Sequence, residues 1–182
     1  LQIQITPSLL PADGISTSQV TVSVRDSSGN LAPNGTVVKF AAGEKFEDVD
    51  LDGYFTDGID KLEFDVNQDG KWNQIGFIPA YALTNNGEVT VTYVAGLRTG
   101  TSYIKVTAEP DGDFLQEDAN LLLIPTDSVA YIVLTTDEAK IQVRGTGGME
   151  ATQIRAVCYD DNGNRVGADF PVEFYIINGP DG

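Results

Sequence analysis

Apolar and polar residues alternate with a period of two along several short stretches of this chain. LQIQIT, QVTVSVRD, GEVTVTYV and SYIKVTAE all follow this alternation, which is typical of strands with one buried face. Turn segments that contain glycine or asparagine, such as DSSGN, NNG and GLRTG, separate the strands. A helical period of 3.6 residues is not evident in any window of about eleven residues. The pattern therefore predicts an all-β fold in which antiparallel strands pack as a sandwich.

The chain also contains an internal repeat. Residues 20–40 align without a gap on residues 154–174, and the alignment pairs Asp26 with Asp160 and Val38 with Val172. The opening strand IQIT resembles IVLT at 132–135 in the same way. A repeat of this length predicts two homologous domains, which we place at residues 1–125 and 126–182.

The second copy is shorter than the first. It has no counterparts of GEVTVTYVAG and TSYIKVTAE, so the missing strands would leave sheet edges and an apolar face uncovered. We expect the natural polypeptide to continue beyond residue 182. The alternative is that another chain supplies the missing strands by strand addition.

Charge and composition narrow the function. The 182 residues carry a net charge of −16 and include no histidine. Nucleic acid and anionic membrane surfaces both require positive charge on the protein, so neither suits this chain as a partner. No apolar run approaches the roughly 20 residues of a membrane helix, which argues against direct membrane insertion. The lack of histidine removes the commonest general base, and we expect no enzymatic activity.

Two stretches resemble a known family. ITPSLLPADGISTSQVTVSVRDSSGNLAPNGTVVKF is similar to the opening half of a bacterial immunoglobulin-like domain of the invasin and intimin type, and NNGEVTVTYVAGLRTGTSYIKVTA is similar to its closing half. The resemblance implies tandem immunoglobulin-like sandwiches, of which the second is incomplete. It also implies an extracellular, cell-surface module of a bacterial or archaeal protein that acts as a stalk or adhesive segment. Its implied partners are neighbouring immunoglobulin-like domains of the same or an adjacent chain.

The segment at 43–80 falls outside this resemblance and holds a tandem motif. DVDLDG at 48–53 recurs 17 residues later as DVNQDG, and D-x-[DN]-x-D-G is the first half of a calcium-binding loop. Carboxylates at loop positions 1, 3 and 5 and a carbonyl at position 7 converge on one cation, while glycine permits the turn. We predict two Ca²⁺ ions in a metal-binding insert. Their predicted ligands are Asp48, Asp50, Asp52, the Tyr54 carbonyl, Asp57 or Asp60, Asp65, Asn67, Asp69 and the Lys71 carbonyl.

The acidity of the insert supports a bound cation. Residues 44–70 contain ten acidic residues against Lys45 and Lys61, and two carboxylates about 4 Å apart repel by ~1 kcal/mol in water and ~4 kcal/mol near a protein surface. The leading hypothesis is a non-catalytic, calcium-stabilised structural and adhesive module. The first alternative is calcium-dependent binding of a carbohydrate or of a host or cell-surface protein, with a stacking platform at Tyr54, Phe55, Trp72, Phe77 and Tyr81. The second is a fibre subunit that is completed by strand donation.

Overall fold

A computed structural model describes residues 1–167 and 170–177 of the chain. The described residues form β-strands, turns and one short 3-10 helix at Pro110–Gly112, so the predicted all-β class is confirmed. The chain divides into two compact units, Leu1–Thr126 (unit 1) and Asp127–Gly182 (unit 2). Within the described ranges, no helix has the length and apolar character that crossing a membrane requires.

Unit 1 is a sandwich of two sheets with a small additional hairpin. The strands are β1 (Gln2–Thr6), β2 (Leu9–Pro11), β3 (Thr17–Ser23), β4 (Val37–Gly43), β5 (Lys45–Glu47), β6 (Lys61–Phe64), β7 (Tyr81–Leu83), β8 (Glu88–Val94), β9 (Gly100–Ala108) and β10 (Leu115–Ile124). The three-stranded sheet has the order β1-β3-β8, the five-stranded sheet has the order β2-β10-β9-β4-β7, and β5 pairs with β6.

Alternation along the strands determines which side chains fill the core. Val20 and Val22 of β3 are fully buried, and they lie opposite Val91 and Val89 of β8. The intervening residues face outward, where the hydroxyl groups of Thr21 and Thr90 share a hydrogen bond of 3.0 Å. Burying one such aliphatic side chain contributes about 1.5–3 kcal/mol. The core is completed by residues of both sheets, including Val38, Phe40, Ile104, Val106, Leu121 and Leu123.

The segment that the sequence predicts as an insert leaves the five-stranded sheet after β4 and returns at β7. Two backbone hydrogen bonds join the insert to β4. Ile75 N donates to Ala42 O (3.2 Å), and Phe40 N donates to Ala80 O (2.8 Å). Between these bonds the chain approaches the three-stranded sheet, where Phe77 pairs with Val94 of β8. The insert is therefore attached to one end of the sandwich at several points.

In unit 2, β11 (Tyr131–Thr136) pairs with β12 (Ile154–Tyr159). The turn after β12 repeats the turn after β3: Asp160 N donates to Asn164 O and Asp26 N to Asn30 O, both at 2.9 Å. The correspondence between β11 and β1 differs from the one that the sequence suggested.

Ile3 lies opposite Val22, and Leu134 lies opposite Ala156, the counterpart of Val22 in the repeat. Leu134, rather than Ile132, therefore holds the position of Ile3, and the alignment of IQIT with IVLT is wrong by two residues. A slip of two residues keeps every side chain on the same face, so the apolar pattern could not detect it.

Candidate metal centre

The two acidic loops of the insert have the same internal hydrogen bonds. In the first loop, the Asp48 carboxylate accepts bonds from Asp52 N (3.2 Å) and Gly53 N (2.8 Å). In the second loop, the Asp65 carboxylate accepts bonds from Asp69 N (3.3 Å) and Gly70 N (2.7 Å). The first aspartate of each motif therefore fixes the turn that follows it.

The fifth residue of each loop also has an equivalent bond. Asp52 Oδ1 accepts a bond from Tyr54 N, and Asp69 Oδ1 accepts one from Lys71 N, both at 2.8 Å. Gly53 and Gly70 have φ values of 87° and 74°, which explains why the motif requires glycine at its sixth position. The repeated sequence thus folds into a repeated loop.

Three carboxylates meet at the first loop. Oxygen atoms of Asp48, Asp50 and Asp60 all lie within 4.8 Å of one another, so this group could hold a metal ion. Asp48 is 5% exposed and Asp60 is 8% exposed, whereas Asp50 is open to solvent. We call these three residues the acidic cluster.

Asp60 is held in the acidic cluster by hydrogen bonds from two backbone amides of the first loop region. Its two oxygens accept bonds from Val49 N (2.7 Å) and Thr56 N (2.6 Å). Asp57, the other candidate for closing the first site, is exposed and does not belong to the cluster. The geometry thus distinguishes two residues that the sequence left as alternatives.

The electrostatics of the acidic cluster favour a cation. Burial raises the pKa of Asp48, and the nearby charge of Asp60 raises it further, although the Gly53 N–H opposes the shift. The ion pairs in the described part of the chain join Lys45 to Glu63, Lys61 to Glu47 and Lys105 to Asp118. None of these lysines pairs with a cluster carboxylate. A divalent ion would supply the missing positive charge.

The second loop is more exposed and less acidic. Asp65, Asn67 and Asp69 occupy its first, third and fifth positions, and Asn73 Nδ2 lies 3.3 Å and 3.2 Å from the two oxygens of Asp69. The hydrogen bond from Lys71 N, together with the amides of Asn73 and Asn67, lowers the pKa of Asp69 against a smaller opposing effect of burial. Glu63, which precedes this loop, is paired with Lys45 at 2.6 Å.

The two predicted carbonyl ligands belong to residues with further contacts. The Lys71 carbonyl accepts a bond from Asn73 Nδ2 (2.9 Å). The Tyr54 hydroxyl donates to Ala80 O (3.0 Å), and Lys39 Nζ lies 5.8 Å from the centre of the Tyr54 ring. Lys39 Nζ also donates to the Asp52 carbonyl (2.8 Å), so the first loop is anchored on β4.

Sequence reasoning missed Glu44, which holds the second loop in place. This side chain is 2% exposed, and its oxygens accept bonds from Val66 N (2.7 Å) and Asn73 N (2.9 Å). Its carbonyl accepts a bond from Trp72 Nε1 (2.7 Å). The available signal was the strand period: Glu44 follows Phe40 and Ala42 on the inward side of β4.

Aromatic side chains form a small core between the two loops. Phe55 and Trp72 hold the same position in their motifs, and their rings stack with centroids 5.8 Å apart. Phe46 meets both rings edge-on at 5.5 and 6.0 Å, and Lys105 Nζ lies 4.8 Å from the centre of the Phe46 ring. The insert therefore has apolar packing of its own and also contacts β9.

The two packed sheets of unit 1 form an immunoglobulin-like β-sandwich, a fold that this chain shares with a solved invasin-type structure. Yersinia pseudotuberculosis InvD has a similar structure, with a TM-score of 0.58 and 19% identity over 92% of this chain and 39% of that chain. This chain thus spans well under half of the InvD chain.

Two further structures are more distant. Y. pseudotuberculosis adhesin InvE matches 86% of this chain and 33% of its own at 22% identity, with a TM-score of 0.47. The D0-D1 domain of intimin matches 87% of this chain and 64% of its own at 14% identity, with a TM-score of 0.44. No protein-family model matches the sequence, and no curated protein shows significant similarity to it.

Proposed function

We propose that this chain is a non-catalytic, calcium-stabilised structural and adhesive module of a larger bacterial or archaeal cell-surface protein or filament. The observation that carries the proposal is the acidic cluster, in which Asp48 and Asp60 are buried beside Asp50 without a lysine or arginine partner among the described residues. Its partners would be neighbouring immunoglobulin-like domains, and its location would be extracellular.

Calcium suits the ligands better than magnesium does. Ca²⁺ accepts six to eight oxygen ligands in flexible geometry, whereas Mg²⁺ needs a near-octahedral site and tends to keep its waters. The first loop offers three carboxylates from the acidic cluster, and we assign the second ion to Asp65, Asn67 and Asp69. Binding to the folded state alone would stabilise the insert by roughly 2.7 kcal/mol when calcium exceeds its dissociation constant a hundredfold.

The fold supports the structural part of the proposal. Two compact units follow one another along the chain, and the likeness to part of InvD places this sandwich among folds of the invasin and intimin type. A module of this kind extends a surface protein by repetition, and a metal-held insert would rigidify one end of the sandwich. Carbohydrate or protein binding and completion by strand donation remain alternatives.

The test compares Asp60→Asn with Asp57→Asn. Both variants remove one negative charge from the same loop, but only Asp60 belongs to the acidic cluster. Unfolding is followed through Trp72, the only tryptophan in the chain, in calcium and in chelator. We expect calcium to raise the transition of the wild type and of Asp57→Asn, and to raise that of Asp60→Asn much less. Identical wild-type curves with calcium and with chelator would remove the metal from the proposal.

A further inference from the structure

A cavity of about 410 Å³ opens where the insert meets the edge of the five-stranded sheet. Its walls include the aromatic rings of Tyr54, Phe55, Trp72 and Phe77, and Gln74 also lines it. The volume falls within the roughly 300–1,000 Å³ that is typical of small-molecule sites. Phe77 is 60% exposed, so its side chain is accessible to a ligand in the cavity.

Backbone groups add polarity to the floor of the cavity. Phe40 N donates to Ala80 O, and Ile75 N donates to Ala42 O, so Phe40 and Ala42 both face the edge of β4 that the insert borders. In an extended strand the N–H and C=O of one residue point to the same side. The Phe40 carbonyl and the Ala42 amide therefore point towards the cavity between those two bonds.

We propose that this cavity binds one neutral sugar ring of a glycan. The CH groups on one face of a pyranose are slightly positive and pack against the negative face of an aromatic ring, while the backbone groups and Gln74 can bond to ring hydroxyls. The inference rests on the proposed function in one respect, because Tyr54, Phe55 and Trp72 belong to the two calcium loops.

Charge and geometry select this occupant over others. Ten acidic residues against two lysines at 44–70 would repel an acidic sugar. An extended peptide would need several consecutive ladder bonds along a free strand edge. On β4, however, the open edge is limited to the short stretch between the bond of Phe40 with Ala80 and the bond of Ala42 with Ile75. A compact neutral ring fits the short gap and the aromatic walls together.

The test titrates the calcium-loaded chain with four neutral probes: the methyl glycosides of galactose, glucose, mannose and N-acetylglucosamine. Trp72 lines the cavity, so its fluorescence reports occupancy directly. We expect a saturable change with at least one probe and none with methyl glucuronide. Phe77→Ala should weaken that binding at least tenfold, whereas Leu83→Ala, an exposed apolar residue of β7 outside the cavity walls, should leave it unchanged.

The outcomes separate this inference from the proposed function. No saturable change with any neutral glycoside, equal binding by Phe77→Ala, or preferential binding of the glucuronide would overturn the sugar site. If calcium still raises the melting transition in that case, only the sugar site is lost. Sugar binding that persists in a chain whose melting ignores calcium would support the cavity and contradict the metal proposal.

Discussion

Replacing Glu44 by alanine should lower the stability of the insert more than replacing any other single acidic residue within it. Glu44 lies at the end of β4, where its carboxylate accepts bonds from Val66 N at 2.7 Å and Asn73 N at 2.9 Å. Val66 is the second residue of the DVNQDG motif, and Asn73 lies three residues after its last residue. The substitution therefore removes the group that joins the start of the second loop to the segment that follows it.

The size of the effect follows from the two bonds. A hydrogen bond to a charged group contributes about 1.5–3 kcal/mol, so the pair contributes about 3–6 kcal/mol before any compensation. Water that enters the space and the relieved burial of a carboxylate offset part of this loss. We expect a net cost of about 3 kcal/mol, or a decrease in melting temperature of roughly 10 °C for a domain of this size.

The assay is urea unfolding followed by Trp72 fluorescence, since Trp72 Nε1 donates to the carbonyl of Glu44 itself. Glu47→Ala is the matched control, because Glu47 lies three residues after Glu44, in β5, and pairs with Lys61 on an exposed surface. Such pairs contribute about 0–1 kcal/mol. If the Glu44 and Glu47 variants unfold at the same urea concentration, Glu44 is not the residue whose hydrogen bonds hold the second loop in place.

Two further predictions concern the backbone and the core. In thermal melts, Gly53→Ala should lower the free energy of unfolding by about 1 kcal/mol more than Gly58→Ala does. Both glycines have positive φ, so the backbone strain of an alanine is similar at the two positions. A Cβ at Gly53 would lie 2.5 Å from Thr107 Oγ1, whereas one at Gly58 would meet nothing within 4 Å. Burial raises the pKa of Tyr93 above its ordinary value, against a smaller effect of Ser102. Its stabilisation is therefore complete below pH of about 10 and is lost as the pH rises through the folded-state pKa, so Tyr93→Phe should flatten the alkaline decline seen in urea titrations.

The sequence predicted those features that depend on local pattern. The alternation in QVTVSVRD predicts one buried face, and Val20 and Val22 of that stretch are both fully buried. The D-x-[DN]-x-D-G motif predicted two equivalent turns, which the bonds to Asp48 and Asp65 confirm. The alternation can be read along one strand, and the contacts of the turns lie within five residues along the chain, so the local sequence contains the necessary information.

Features that depend on distant contacts were not predictable in this way. Glu44 reaches Asn73 across 29 residues, and no local pattern indicates which amides a buried carboxylate will meet. The sequence left Asp57 and Asp60 as alternatives, and of the two only Asp60, which is held by bonds from Val49 N and Thr56 N, lies in the acidic cluster. The register of β11 on β12 was also ambiguous, because a shift of two residues preserves the buried face.

The distribution of apolar packing suggests how calcium would act on unit 1. The core of the sandwich draws its buried residues from both sheets, and Ile78 is the one buried member that the segment 44–80 contributes. The insert instead packs Phe46, Phe55 and Trp72 against one another. Two separate apolar clusters favour opening in separate steps. Loss of calcium should therefore open the insert and its cavity first, while the sandwich remains folded.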